Sequence, residues 1–94
     1  MKKHLDIQVY GRVQGVSFRA YTQEKAESLG LAGFVCNEAD GSVYIEAEGA
    51  EPELAEFVRW LHQGPPMAQV TRVERSEGAL QSLYDFRIAW NRHG

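Results

Sequence analysis

The period of the apolar residues along this 94-residue chain constrains its fold more than any other feature. Over residues 5–9 every second side chain is apolar, which predicts a strand with one buried face. After a stretch that contains two glycines, the spacing becomes helical over residues 18–29, and Gly30 provides a stop. Ser17 stands where its hydroxyl could cap the first turn of this helix. The chain is therefore predicted to begin as a strand, a loop and a helix.

A hairpin is predicted after the first helix. Alternation over residues 34–37 and again over residues 43–47 indicates two strands with distinct faces. The pair Asp40-Gly41 between them is typical of a tight turn. Asn37 is the last residue of the first of these strands, so we expect it close to the turn.

A second helix and two further strands complete the prediction. Pro52 suits the first turn of a helix, where its missing N–H costs nothing, and the Gly-Pro-Pro sequence at 64–66 ends that helix. Residues 69–74 indicate a strand whose broken alternation marks a bulge. Residues 84–90 alternate and indicate a last strand. We expect residues 76–82 to form a mobile surface loop.

The order of these elements is β-α-β-β-α-β with a short extra strand. This order is the split βαβ arrangement, so we predict an α+β fold of the ferredoxin-like sandwich class. In this fold an antiparallel sheet carries both helices on one face. Because there is no internal repeat, linker or low-complexity segment, residues 1–94 are predicted to form a single domain.

Composition excludes several classes of protein. An apolar fraction of 44% and a net charge of −3 are typical of an ordinary globular protein, and the acidity argues against a nucleic-acid partner. Cys36 is the only cysteine, so an internal disulfide is impossible and a reducing compartment is favoured. Asp6 and Gln8 interrupt the apolar run that a signal peptide would need, and no run reaches the ~20 residues of a membrane span. We therefore expect a cytoplasmic monomer that binds no membrane.

An anion site is predicted where the first strand turns into the first helix. Gly11 and Gly15 permit backbone angles that turn successive N–H groups inward, and the helix amino end favours negative charge. Arg19, in the first helical turn, can present a planar fork of donors to phosphate oxygens. The alternative is that the glycines only shape a turn and the arginine is solvated. There is no Gly-Lys-Ser/Thr sequence, so nucleotide binding of the Walker type is disfavoured.

Two segments resemble the signatures of the acylphosphatase family. The matching positions of the first are Val9, Gly11, Val13, Gln14, Gly15, Val16, Phe18 and Arg19. Those of the second are Gly33, Phe34, Asn37, Asp40, Gly41, Val43 and Gly49. Two positions depart from the family: Phe34 replaces the commoner tryptophan, and Cys36 stands where a basic or long polar side chain is usual. The resemblance extends along nearly the whole chain.

The resemblance implies hydrolysis of the carboxyl–phosphate anhydride bond of an acyl phosphate, giving a carboxylate and inorganic phosphate. It implies that Arg19 and Asn37 are catalytic residues. The phosphate would lie in a cradle of backbone N–H groups from Gly15, Val16, Ser17, Phe18 and Arg19. Asn37 by itself would be a plain turn residue, but with the resemblance its amide becomes the group that positions water.

No metal and no other cofactor is expected. His4, His62 and His93 lie far apart in the sequence and show no ligand spacing. A carboxylate is a good leaving group, so positioning and charge stabilisation are enough for this reaction. The expected partners are therefore a small-molecule acyl phosphate and inorganic phosphate.

Two other functions stay open at this point. One is an RNA-binding sheet, because RNA recognition domains share this strand order and use aromatic side chains on central strands within a basic surface. The outward residues of the first strand, which include His4 and Asp6, do not supply such a surface. The other is a non-catalytic interaction domain that retains an anion pocket. Glu46 and Glu48 share a strand face that we expect to face solvent.

Overall fold

The structure, a computed structural model, describes residues 1–93. These residues form two helices and five strands. In chain order the elements are β1 (Lys2–Arg12), α1 (Phe18–Ser28), β2 (Ala32–Asn37), β3 (Val43–Ala50), α2 (Glu51–Gln63), β4 (Gln69–Gly78) and β5 (Phe86–Ile88). The β-α-β-β-α-β order with a short extra strand, and the ferredoxin-like class that it predicts, are thereby confirmed.

The strands form one sheet in the order β4-β1-β3-β2-β5. Strands β1, β2, β3 and β4 pair antiparallel, whereas β5 pairs parallel with β2, so the sheet is mixed and not antiparallel throughout. The reason is that residues 79–85 cross from one edge of the sheet to the other. The crossing lies at the end of the sheet where β1 and β2 begin. Glu48 pairs with His4 and Ala32 at that end, and its carboxylate accepts from the backbone N–H groups of Gln81 and Leu83. Strand β5 therefore starts beside the start of β2 and runs in the same direction.

One hydrophobic core lies between the sheet and the two helices. The sheet contributes the apolar residues that alternate along β1, β2 and β3, and α2 contributes the predicted positions. The buried α2 residues are Leu54, Phe57, Val58 and Leu61. Burial of each such side chain stabilises the fold by roughly 1.5–3 kcal/mol. Each helix is therefore held by its apolar face.

The amino end of α1 differs from the prediction. Ser17 makes no side-chain capping hydrogen bond and adopts the left-handed conformation, with φ 60° and ψ 26°. A capping serine needs an extended backbone to bring its hydroxyl to the first-turn N–H groups, so the left-handed geometry precludes the cap. By contrast, Gly30 follows the helix with φ 70°, and Pro52 lies in the first turn of α2, both as predicted.

The last two strands also differ in extent. Strand β4 continues to Gly78, so the segment expected to be a surface loop from residue 76 is still paired with β1 at its start. An edge strand needs no apolar alternation. The polar side chains at the end of β4 therefore gave no sign of a strand in the sequence. The predicted bulge is present, because Tyr10 pairs with Arg72 and Gly11 pairs with Val70. Strand β5 covers only residues 86–88.

No helix within residues 1–93 has both the length and the apolar character that crossing a membrane requires.

Candidate active site

The cavity at the carboxyl ends of β1 and β2 brings the two predicted catalytic residues together. Both strands are antiparallel to β3, so they run in the same direction and end at the same edge of the sheet. The amino end of α1 starts at this edge. A cavity of about 420 Å³ lies there, and the residues that line it are Val13, Gly15, Ser17, Phe18, Arg19, Ala20, Asn37 and Ile88. All the predicted cradle residues except Val16 are among them.

The loop before α1 has the backbone geometry of an anion-binding nest. Gly15 has φ 75° and Ser17 has φ 60°, whereas Val16 between them lies outside the left-handed region. Alternation of this kind turns neighbouring N–H groups toward one concave side. A left-handed serine costs about 1–2 kcal/mol, and strain of this size persists mainly where function requires it. The strained residue lies in the predicted phosphate cradle.

Arg19 is half-buried in the first turn of α1, with its side chain on the cavity wall. Within residues 1–93 it takes part in no ion pair and no side-chain hydrogen bond. Three arginines of the chain, Arg72, Arg87 and Arg92, are paired with carboxylates, the last with Glu38 at 2.7 Å. The donors of the Arg19 guanidinium are therefore available to an anion in the cavity.

Asn37 presents a buried, unpaired acceptor. Its amide oxygen is inaccessible to solvent and has no hydrogen-bond partner among residues 1–93. An unsatisfied buried polar atom costs about 1–3 kcal/mol, so native proteins rarely retain one without a use. Asn37 also lines the cavity, so this unpaired amide belongs to the cavity wall's own residues.

Cys36, the neighbour of Asn37, is fully buried and free, as predicted for a structural strand thiol. Burial raises the pKa of the Cys36 thiol, and the Glu38 carboxylate adds to this effect. The thiol therefore stays neutral near pH 7. It packs within the protein and is not an activated nucleophile.

Gln14 connects the cradle loop to the hairpin that bears Asn37. Its side-chain Nε2 donates to the backbone oxygens of Glu38 at 2.8 Å and Ser42 at 2.9 Å. These two residues are themselves paired across the hairpin, since the Glu38 N–H donates to the Ser42 oxygen at 2.9 Å. In the sequence Gln14 is a matching position of the first signature, and nothing there predicts this connection. Ile88 was also missed, because only the parallel pairing of β5 with β2 brings it to the cavity.

A second polar cluster lies at the opposite end of the sheet and corrects an expectation. His4 is 1% exposed, with Nδ1 at 2.9 Å from Glu48 and Nε2 at 3.1 Å from both Asp6 and Glu46. Neither glutamate faces open solvent, because residues 79–83 cover this part of the sheet. Both ring nitrogens of His4 are thus occupied by carboxylates within a closed network.

The mixed sheet with two helices on one face defines an α+β domain of ferredoxin-like fold. Residues 5–88 match the acylphosphatase family. A curated acylphosphatase of Nocardioides sp. is 47% identical over 88 residues, which cover 94% of this chain and 89% of the relative. The chain belongs to the acylphosphatase family.

Solved structures agree with this assignment. The crystal structure of acylphosphatase from Bacillus subtilis superposes with a TM-score of 0.92 at 41% identity, covering 96% of this chain and 100% of that one. An acylphosphatase structure from Coxiella burnetii has a TM-score of 0.91 at 36% identity and covers 94% of this chain and 93% of that one.

Proposed function

We propose that this chain is an acylphosphatase that hydrolyses the carboxyl–phosphate anhydride bond of acyl phosphates, with Arg19 and Asn37 as its catalytic residues. One observation carries the assignment of these residues. The support is that Arg19, whose guanidinium has no ion pair within residues 1–93, and Asn37, whose amide oxygen is unpaired there, both line one cavity, beside a left-handed loop at a helix amino end. Each of these features would be unremarkable alone, whereas together they suit a phosphoryl group and a water molecule.

The cradle would hold the phosphoryl oxygens through the backbone N–H groups of residues 15–19 and the guanidinium of Arg19. The first-turn N–H groups of a helix have no partner within the helix, and Ser17 does not cap them here. They remain available for a ligand, and the helix dipole favours its negative charge. Charge that develops on the equatorial oxygens would therefore be stabilised by groups already in position.

Asn37 would hold the attacking water in line with the bond that breaks. A water bound by the Asn37 amide would direct its lone pair at phosphorus, which is the electrophile in reach. Arg19 is the one residue lining the described cavity whose side chain is ionisable, and an arginine is not a base at neutral pH. The water proton would pass to a phosphoryl oxygen, and the carboxylate would leave without help from an acid.

This chemistry needs no metal ion, because Arg19 and the backbone donors supply the positive charge at the phosphoryl group. We further propose that the partners are limited to an acyl phosphate and inorganic phosphate, without nucleic acid. The net charge of −3 and the partly exposed Asp6 carboxylate on the sheet face opposite the helices would repel a phosphate backbone. The reduced, buried Cys36 supports a cytoplasmic protein, and we propose that it is a monomer.

Turnover of benzoyl phosphate tests the proposal directly. We expect release of benzoate and phosphate at a rate that excess EDTA leaves unchanged. Hydrolysis of p-nitrophenyl phosphate should be slow, because this compound is a phosphate monoester and not an acyl phosphate. Loss of activity in EDTA with recovery on addition of Mg²⁺ would contradict the metal-free mechanism. Absence of turnover in the folded protein, with phosphate still bound, would favour the non-catalytic anion-binding domain.

A further inference from the structure

We propose that Arg92 is a positioning residue for Asn37 and that residues 89–92 form a clasp on the active-site hairpin, the turn between β2 and β3. This inference rests on the proposed function, because it concerns how that site is held. Arg92 would act through Glu38, the residue that directly follows Asn37. It lies beyond residues 5–88, the part of the chain that matches the family.

Arg92 makes contacts on three sides. Its Nε and Nη2 both donate to Glu38 Oε1, at 2.9 and 2.7 Å. Nη2 also donates to Gln8 Oε1 at 3.3 Å. The guanidinium carbon lies 3.8 Å from the centre of the Tyr44 ring, within the range of a cation–π contact. One side chain from the end of the chain thus bridges β1, β3 and the hairpin.

The backbone delivers Arg92 to this place. The N–H of Ala89 donates to the Val35 oxygen at 2.9 Å, which continues the pairing of β5 with β2 toward the cavity end of the sheet. The chain then turns, and the Asn91 side chain accepts from the His93 N–H at 2.9 Å. From this turn the Arg92 side chain lies on the sheet face opposite the helices, where Tyr44 is.

Glu38 connects the clasp to the catalytic amide. Its backbone oxygen accepts from Gln14 and from the Gly41 N–H, and its own N–H donates to Ser42. The backbone of Glu38 is therefore held by Gln14 and by the other residues of the hairpin. Its carboxylate is held by Arg92, which lies outside the hairpin. With both in place, the backbone directly after Asn37 is held on two sides, which fixes the point from which the Asn37 side chain extends.

The size of the effect follows from exposure. The side chains of Arg92 and Glu38 are 44% and 19% exposed, so solvent screens their attraction in part. We expect Arg92→Ala to lower kcat about five-fold, a change typical of one partly exposed ion pair. The inhibition constant of inorganic phosphate should stay within about two-fold, because phosphate binding belongs to the cradle loop on the other side of the cavity.

Arg72 offers a matched control. It also lies over an aromatic ring, 4.2 Å from the centre of Tyr10, and pairs with Glu74 at 3.2 Å. Its place on edge strand β4 has no contact with the hairpin. Arg72→Ala therefore removes the same kinds of contact and should leave kcat unchanged.

The experiment measures kcat, KM and phosphate inhibition with benzoyl phosphate for the wild type, Arg92→Ala, Arg92→Lys, Glu38→Gln, the double variant Arg92→Ala/Glu38→Gln, and Arg72→Ala. Circular dichroism checks folding. Lysine keeps the charge but cannot direct two donors to one oxygen, so Arg92→Lys should recover kcat only in part. The double variant should be no slower than the slower single variant, because both changes break one contact.

Hydrogen exchange of the amides of residues 38–42 tests the clasp without reference to catalysis. We expect these amides to exchange faster in Arg92→Ala than in the wild type or in Arg72→Ala. Unchanged exchange together with unchanged kcat would overturn the proposal. Equal losses in Arg92→Ala and Arg72→Ala would also overturn it, since the effect would then not depend on the hairpin. An inactive wild type whose hairpin exchange still responds to Arg92→Ala would refute the proposed function and leave the clasp standing.

Discussion

The two proposed catalytic side chains share one property at the scale of single residues: neither has a partner among the described residues, and both line the same cavity. Among those residues Arg19 shares its lack of an ion pair with Arg12, Arg59 and Arg75, but none of these three lines that cavity. The Asn37 amide oxygen is buried and unpaired within the described chain. A buried unpaired acceptor is unfavourable for folding, so the place of the Asn37 amide in the wall of this cavity supports a role in binding and catalysis.

Replacement of Arg19 by alanine tests the first of these groups. If the guanidinium contacts the phosphoryl group in the ground state and the transition state, Arg19→Ala should weaken phosphate inhibition and lower kcat by about 10²–10³. Stability should change little, because the side chain is only half-buried. The assay is benzoyl phosphate turnover with phosphate as inhibitor. Arg12→Ala is the control, since Arg12 is exposed in the same region and does not line the cavity.

Near-normal turnover in Arg19→Ala would return this arginine to the role of a solvated helix residue.

Two substitutions of Asn37 separate water positioning from phosphate binding. Asn37→Ala removes the acceptor but leaves the cradle, so kcat should fall by about 10² or more while phosphate affinity stays nearly unchanged. Asn37→Asp keeps the shape but places a carboxylate near a dianionic phosphoryl group, so both kcat and phosphate affinity should fall. Phosphate titrations beside rate measurements distinguish the two patterns.

A strong loss of phosphate affinity in Asn37→Ala would make the amide part of the anion cradle. Normal turnover in both variants would reduce Asn37 to a hairpin residue.

At the scale of elements, the active site depends on how the loop before α1 meets the hairpin between β2 and β3. The loop leads into α1, whose second residue is Arg19, and the hairpin follows β2, whose last residue is Asn37. The Gln14 amide joins them through two backbone oxygens, at 2.8 and 2.9 Å. Gln14 thus holds the cradle loop at a fixed distance from the hairpin next to Asn37. We assign it no chemical step in the proposed reaction.

Removal of this connection is expected to affect rate more than binding. Gln14→Ala should lower kcat by roughly ten- to a hundred-fold, because a displacement of about 1 Å between catalytic groups has effects of that size. Phosphate inhibition should weaken less, since the cradle loop retains its own backbone. Gln23→Ala is the matched control: Gln23 also donates to a backbone oxygen, that of Phe86 at 3.0 Å, but joins α1 to β5. Equal kcat values for the wild type and Gln14→Ala would contradict this role.

At the scale of the whole molecule, the crossing segment between β4 and β5 closes the fold. It depends on the buried carboxylate of Glu48, which accepts from the backbone of Gln81, from Leu83 at 3.0 Å and from His4 at 2.9 Å. Burial alone would raise the pKa of the Glu48 carboxyl, but these hydrogen bonds together hold that pKa below its ordinary value of 4.5. The ionised form is therefore the one that the native state stabilises.

The stability of the protein should depend on pH through this group. A carboxyl whose pKa is lowered by folding stabilises the native state above its ordinary pKa, and the contribution is lost as the pH falls through the folded value. Glu48→Gln should lower the free energy of unfolding by about 2 kcal/mol at pH 7. The difference from the wild type should shrink as the pH falls below 4.5. Urea unfolding at pH 7 and at a series of acidic pH values measures it, with the exposed Glu77→Gln as control.

A deficit of the same size at every pH would show that Glu48 contributes through shape and not through charge.

Much of the fold could be predicted because it depends on local periodicity. Alternation in β1 and helical spacing in α2 each report a buried face, and turn residues such as Gly30 have conformational preferences of their own. The left-handed loop before α1 could be expected for the same reason, since Gly15 and Arg19 lie within one short segment, and its role as an anion site stays a prediction. The assignment of Asn37 came from the family resemblance, because its own neighbourhood indicates only a turn.

The tertiary structure alone decided the features that join distant parts of the chain. Parallel pairing of β5, burial of His4 and Glu48, and the contact of Arg92 with Glu38 depend on where residues 79–93 cross and return. Polar residues in edge strands and crossings carry no periodic signal, because their partners, and hence their burial, are set by segments far away in sequence. Local patterns thus determined the elements and the loop before α1, while packing decided which polar groups of the described residues are paired and which remain free.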